Sequence, residues 1–374
     1  MFLSKVQLVN FRNIELLNLE LAKKINIFIG ENGHGKTNLL ESIYFGIKKD
    51  SFRYYDRDIL IKKNSLYSLI QIKIENEIII DTLKVKILNS KSEYFLNEKK
   101  LSFQNNLPHL ILFSPESLSI IKESSDERRK LLDDVISSVS VSNKNIIQNF
   151  KKILKSRNKL LKDILEKKID YIIGLSTLES LNHIFIEASV KLIKIRIETL
   201  KNLKPIINEK IKEFDQTQPT FDFKYIISDQ NIVDNSEENL TNILSKRLNE
   251  LKTFEINSGV SLIGPQKHDV IFLYNGNDSR YFCSQGQQRS IILAFKIAQI
   301  VYHHKAVNEY PILLLDDVMS ELDELKQNAL IKTLNSMTSQ VFITTTHYDI
   351  IQKLGIANSK VFTVKNGEFK LTGV

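Results

Sequence analysis

The octapeptide Gly30-Glu31-Asn32-Gly33-His34-Gly35-Lys36-Thr37 constrains this chain more than any other segment. It matches the phosphate-loop pattern in full, and its flanks carry the two periodicities the pattern needs. Ile25, Ile27 and Ile29 alternate ahead of it as a strand does, and Leu39, Leu40, Ile43 and Ile47 follow at helical spacing. Glycines let the backbone wrap an anion with its N–H groups, and the helix behind them adds its positive end. Strand, loop and helix in this order predict an α/β nucleotide-binding sheet. Lys36 is expected to neutralise the β- and γ-phosphates of ATP, and the Thr37 hydroxyl to ligate Mg²⁺.

Far downstream, the apolar run Pro311 to Leu315 ends in Asp316 and Asp317. A carboxylate at the end of a buried parallel strand points into the crevice where such sheets bind ligands. Asp316 is expected to hold the Mg²⁺ shell and Asp317 to orient or deprotonate the attacking water. Between these motifs, Ser284-Gln285-Gly286-Gln287 opens an apolar helix. The Ser284 hydroxyl, the Gly286 backbone and the Gln287 amide at a positive helix end form a second anion site. Read alone, these four residues are an ordinary N-cap and turn. Beside a phosphate cradle already complete in one chain, they suggest the γ-phosphate of a partner subunit. Ser320-Glu321-Leu322-Asp323 then stands where a dimer-facing loop would sit. His347 ends the apolar run Val341 to Thr346 and is a candidate γ-phosphate sensor; a surface or capping role is its alternative.

Between the motifs the period changes. Ser124-Ser125-Asp126-Glu127 reads as a capping box, and helical spacing dominates to about residue 213. Ile146, Phe150, Ile153, Leu160 and Ile164 fit a heptad that Arg157 interrupts, and a second stripe runs from Leu178 to Ile195 beyond Gly174. Two such stripes predict an antiparallel helical hairpin, an arm of ~40 Å. Residues 229–240 are polar and read as a loop. The expected domains are an ATPase head at 1–115, a helical arm domain at 116–254, and the rest of the head at 255–374. Residues 143–168 carry Lys144, Lys151, Lys152, Lys155, Arg157, Lys159, Lys162, Lys167 and Lys168 against Asp163 and Glu166. Such a helix can follow DNA phosphates without reading sequence, or serve as a solvated face. The scarcity of aromatics there argues against base stacking.

The net charge of +8 permits an anionic partner without requiring one. A single cysteine, Cys283, rules out an internal disulfide. The alternating start and the lack of a long apolar run predict a cytoplasmic protein without a membrane span.

The order of phosphate loop, Ser-Gln-Gly-Gln, acidic strand and terminal histidine resembles the ABC-type ATPase heads of the SMC and RecF group. Asn10-Phe11-Arg12-Asn13, Phe113-Ser114-Pro115-Glu116-Ser117-Leu118, Arg128-Arg129-Lys130-Leu131-Leu132-Asp133 and Gly264-Pro265-Gln266-Lys267-His268-Asp269 are similar to blocks of the RecF family. The resemblance spans nearly the whole chain. It implies an ATP-dependent homodimer that binds single- and double-stranded DNA at gaps or junctions. It also implies slow ATP hydrolysis, work alongside RecO and RecR in placing RecA, and an Arg12 that approaches the nucleotide. Asp317 departs from the glutamate usual in ABC heads, and Gly-Pro-Gln-Lys-His-Asp departs from the family block. An ABC transporter subunit is the alternative, but it leaves the basic arm without a purpose. A nucleotide-gated scaffold that barely needs hydrolysis is another. The short arm disfavours a full SMC protein.

Overall fold

The computed structural model describes residues 1–53, 56–88, 90–101, 107–232, 235–348 and 359–372. The chain divides into two compact units, Met1–Ser117 with Glu309–Val374, and Leu118–Asn308. The sequence reading grouped residues 255–308 with the phosphate loop, whereas compactness groups them with the helical segment. The reason is packing: the helix opened by Ser284 lies along the longest helix of the arm unit.

The first unit starts with β1 (Phe2–Phe11), β2 (Ile14–Glu20), β3 (Ile25–Ile29) and α1 (Lys36–Lys48). It continues with β4 (Ser68–Glu75), β5 (Ile80–Leu88), β6 (Lys91–Leu96), β7 (Lys99–Lys100) and β8 (Leu110–Phe113), and the short α2 (Pro115–Leu118) ends at the unit boundary. The second unit holds α3 (Ser125–Val139), α4 (Val141–Leu165), α5 (Tyr171–Phe214), β9 (Phe221–Ile227), β10 (Gln230–Asn231) and α6 (Glu237–Ser258). β11 (Asp269–Tyr274), β12 (Asn277–Asp278), α7 (Ser279–Phe282) and α8 (Gln285–Val307) complete it. The chain then returns through β13 (Ile312–Asp316), α9 (Glu324–Ser336), β14 (Val341–Thr345), β15 (Ser359–Lys365) and β16 (Glu368–Leu371).

In the first unit, β2-β1-β4-β5-β6-β7 form an antiparallel sheet and β16-β15-β3-β14-β13-β8 a mainly parallel one. The alternation of Val6 and Leu8, of Ile70 and Ile72, and of Leu83 and Val85 turns one apolar face of the antiparallel sheet inward. Leu39, Leu40 and Ile43 of α1 pack into the same core, as do Phe28, Leu314 and Phe342 of the parallel sheet. β3, β13 and β14 are buried at every position, which explains their unbroken apolar runs. The parallel register sets Ile29 opposite Thr345, and Asp316 opposite Thr344. Loop, acids and threonines therefore leave the sheet at one end.

In the second unit, α4 and α5 form the expected antiparallel pair, with α5 running 44 residues, or ~66 Å. The turn lies before Asp170, whose side chain caps α5 by accepting the N–H groups of Ile172 and Ile173. Gly174 sits inside the helix. A Cβ there would stand 2.7 Å from Ile164, so the glycine lets α4 and α5 approach closely. Three other expectations change. Ser124 makes no side-chain cap; Asp126 and Glu127 instead hold Lys130, at 3.1 and 2.7 Å. The polar stretch 229–240 includes β10 and the first turn of α6, while residues 233–234 lie outside the described ones. Arg157 does not face solvent.

Arg157 is 1% exposed and spends every guanidinium nitrogen inside the protein. Nε donates to Asn182 at 2.9 Å, Nη1 to Ser261 at 2.7 Å and Nη2 to Glu255 at 2.6 Å. Its charge also lies 4.9 Å from the centre of the Phe185 ring. The heptad break is thus the pin of α4, α5 and α6, and Arg157 leaves the list of candidate DNA contacts. The lysines of the list are exposed on α4 and just beyond it.

Candidate functional site

β3 delivers its chain into Gly30, where a Cβ would fall 2.2 Å from the Val364 carbonyl oxygen on β15. Only glycine fits there, so the loop can leave the sheet hard against its neighbour. The hairpin turn Asn366–Gly367 braces the loop: Gly367 N–H donates to the His34 carbonyl at 2.8 Å and Asn366 N–H to His34 Nδ1 at 3.3 Å. The His34 side chain thus serves the loop's shape, with Glu31 3.5 Å from its other nitrogen. Asn32 and Gly33 form the exposed crest. α1 begins at Lys36 behind Gly35, which provides no side-chain cap. The first-turn N–H groups accordingly have no intrahelical acceptor and suit an anion.

Lys36 folds back over its own loop, donating to the Gly30 carbonyl at 2.6 Å and the Glu31 carbonyl at 2.9 Å. Burial lowers its pKa, and the charges of Asp317 and Asp316 oppose that shift. Asp316 Oδ1 accepts the hydroxyls of Thr37 at 2.9 Å and Thr344 at 2.7 Å. Burial raises the Asp316 pKa, while these two hydrogen bonds pull it down. The Thr344 hydroxyl also accepts the Asp317 N–H at 3.0 Å, holding that residue at a left-handed φ of 49°. Asp317 Oδ1 is buried without a hydrogen-bond partner among the described residues. A buried carboxylate oxygen left open is costly unless a ligand or water completes it.

Mg²⁺ fits this donor set. Cis oxygens of a Mg²⁺ octahedron lie about 2.9 Å apart, the spacing between Thr37 Oγ1 and Asp316 Oδ1. His347 follows β14 and is exposed, its N–H donating to the Thr345 hydroxyl at 3.0 Å.

Arg12 grips the buried Glu41 of α1 with two nitrogens, at 3.0 and 2.9 Å, and Ser51 adds a 2.6 Å bond to the same carboxylate. Arg12 also lines a cleft of about 610 Å³ with Asn13, Asn38, Arg53, Ile59, Ile61, Lys62 and Lys63. Asn13 contacts Asn38 at 2.7 Å and would meet any Cβ at Gly35, so this cleft adjoins the phosphate loop. Sequence reasoning missed Glu41, Arg53 and Thr344. Only Thr344 left a signal, as a hydroxyl at the end of the strand before His347.

In the second unit, Ser284 caps α8 through a full capping box. Its hydroxyl accepts the Gln287 N–H at 3.2 Å, and Gln287 Oε1 accepts the Ser284 N–H at 2.9 Å. Gln287 Nε2 reaches Tyr274 at 3.5 Å, and Tyr274 donates to Asp215 at 2.6 Å. The turn is therefore built firmly, with Ser284, Gln285 and Gly286 exposed. The Arg128–Asp133 and Gly264–Asp269 blocks meet each other. Arg128 takes both Asp269 oxygens at 2.9 and 2.8 Å, Arg129 donates to the His268 carbonyl, and Asp133 holds Arg196 at 2.8 and 2.9 Å. These blocks are the unit's internal clamp.

The family model described as RecF/RecN/SMC N terminal domain matches residues 2–370. The "DNA replication and repair protein RecF" of Alkaliphilus oremlandii is 35% identical over 98% of this chain and 100% of its own. That of Lysinibacillus sphaericus is 32% identical, covering 98% and 99%. A solved structure of the recombination mediator protein RecF with ATP superposes with a TM-score of 0.87, at 28% identity over 100% of this chain and 98% of that one. An SMC head from Pyrococcus furiosus, at 15% identity over 100% of this chain and 96% of that one, shares the fold with a TM-score of 0.55. Two-unit ATPase-head architecture, a complete phosphate loop with its acidic strand, and similarity from end to end agree: the chain belongs to the RecF family.

Proposed function

We propose that this protein is an ATP-dependent DNA-binding protein of recombinational gap repair, cytoplasmic and working as a homodimer. The observation that carries the reading is the cluster of Lys36, Thr37, Asp316, Asp317 and Thr344 at one sheet end, in a unit that does not contain Ser284–Gln287. The phosphate cradle draws all its groups from the first unit. The firmly capped turn of the second is left for the γ-phosphate bound by a partner subunit.

Lys36 exchanges its two carbonyl acceptors for β- and γ-phosphate oxygens. Thr37 and Asp316 hold Mg²⁺, which when bound neutralises phosphate charge. Asp317, with its open oxygen, orients the attacking water, and its side chain, shorter than glutamate's, suits slow turnover. His347 reports loss of the γ-phosphate. The exposed lysines of α4 follow DNA backbones at gaps or junctions, and the family's names for RecF relatives in the RecFOR pathway support partnership with RecO and RecR in loading RecA. Among the described residues no helix is long and apolar enough to cross a membrane.

Sizing the protein with and without ATP and gapped DNA tests the proposal. ATP is expected to double the mass and DNA to stabilise the dimer. Ser284→Arg should bind ATP as a monomer yet fail to pair; persistent dimers in that variant would remove the trans site.

A further inference from the structure

Thr344 breaks an apolar layer where one hydroxyl reaches both acids. β14 pairs in parallel with β13 on one side and β3 on the other, and the register sets Thr344 beside Asp316 and Phe28. Alternation along the strands puts it on the face of Phe342, Leu314 and Phe28, which share a core with the apolar residues of α1. Thr344 is 1% exposed, a place where valine would fit the strand and leave no polar group to satisfy. The hydroxyl is present nonetheless, and it is used twice. Its proton goes to Asp316 Oδ1 at 2.7 Å, and its oxygen accepts the Asp317 N–H at 3.0 Å. Thr37 of α1 donates to the same Oδ1 at 2.9 Å. One directed chain of hydrogen bonds therefore runs from the Asp317 backbone through Thr344 to Asp316, where the helix behind the phosphate loop meets it. Bonds linked in this way polarise and reinforce one another.

We propose that Thr344 is a positioning residue for both acids: its one hydroxyl fixes the Asp316 carboxylate for the metal and, through the Asp317 N–H, fixes the turn that places the second acid. The inference rests on the reading of Thr37 and Asp316 as metal-holding groups given above. Asp317 sits at a φ of 49°, which side chains seldom adopt, so a bond to its N–H has a conformation to hold. Because both bonds end on one oxygen, a shift of either acid is felt by the other. The neighbouring Thr345 hydroxyl serves the His347 N–H instead, so the task belongs to Thr344 alone among the described threonines of β14. Hydrogen-bond partners of metal-holding carboxylates are worth about 10–100-fold in metal affinity.

Four proteins are compared: the natural chain, Thr344→Val, Thr344→Ser and Asp316→Asn. Mn²⁺ is titrated by electron paramagnetic resonance in the presence of β,γ-methylene-ATP, and binding of the same nucleotide is measured separately without metal. Thr344→Val should bind Mn²⁺ about ten-fold or more weakly. Its metal-free nucleotide binding, supplied by Lys36 and the loop, should be unchanged. In protein free of nucleotide and metal, the Asp317 amide hydrogen should exchange faster in Thr344→Val than in the natural chain. Thr344→Ser returns the hydroxyl and should return both readouts. A side chain that merely fills space gives the opposite order, with valine normal and serine impaired. That order, or natural Mn²⁺ affinity or natural exchange in Thr344→Val, overturns the proposal. Natural Mn²⁺ affinity in Asp316→Asn instead overturns the metal reading beneath it. Should valine prevent folding, seen as loss of metal-free nucleotide binding, Thr344→Ala removes the hydroxyl with less bulk and is held to the same outcomes.

Discussion

Replacing Arg157 by methionine tests how the arm unit is held together. The guanidinium is buried and makes three charge-assisted bonds, to Asn182, Ser261 and Glu255. Methionine fills much of the stem's space and removes all three. Glu255 Oε1 keeps its donors, the N–H groups of Leu262 at 2.7 Å and Ile263 at 3.3 Å, but Oε2 loses its partner in a site without water access. Removing one member of a buried pair costs about 3–5 kcal/mol. With a urea slope of about 2–3 kcal/mol per M, the midpoint followed by far-ultraviolet circular dichroism should fall by about 1–2.5 M. Arg157→Met/Glu255→Leu removes both charges and should be more stable than Arg157→Met alone. A single-variant cost below about 1 kcal/mol, or strictly additive effects in the double variant, would refute the pinning role.

Other outcomes follow from the same geometry. Lys36→Ala should lose ATP binding, read by titration with a fluorescent ATP analogue, and with it every ATP-dependent dimer. Reversing Lys151, Lys152 and Lys155 to glutamate should weaken DNA binding and flatten its salt dependence; an unchanged slope would exclude the arm from the DNA path. Burial, with help from Arg196 and Arg129, holds the His268 pKa down at about 3 from 6.5. Below pH 6.5 the unfolded chain takes up a proton that the folded one refuses, so stability is full above 6.5 and falls as the pH drops toward 3. His268→Gln should remove about 2 kcal/mol of the stability difference between pH 7 and pH 5, measured by urea unfolding.

The grouping of loop and acids at the sheet end was legible because each motif is local. Eight consecutive residues make the phosphate loop, and unbroken apolar runs mark β13 and β14 with their polar ends. What escaped depends on partners distant in sequence. Arg157 looks like a surface cation in a lysine-rich helix until Glu255 and Asn182 are folded against it. Glu41 looks like an exposed helix residue until Arg12 arrives from β1's end. Ser124 has the spelling of a capping box, but Lys130 draws its glutamate away. The unit boundary was hidden for the same reason, because α8 carries a nucleotide-type turn on a helix whose packing lies with α5.

α5 reaches from the arm tip at Tyr171 to Phe214, and the Phe214 carbonyl meets the Ser290 hydroxyl of α8 at 3.5 Å, one and a half turns from Ser284. Pro205 leaves one gap in its hydrogen-bond ladder without dividing the helix. A load on the arm is thus transmitted as a lever transmits torque, to the base of the Ser284–Gln287 turn. Ligands engaging the two ends share one elastic body, and their coupling has no preferred direction. Were DNA on the arm to favour ATP-driven pairing by some factor, as proposed above, pairing would favour DNA by the same factor.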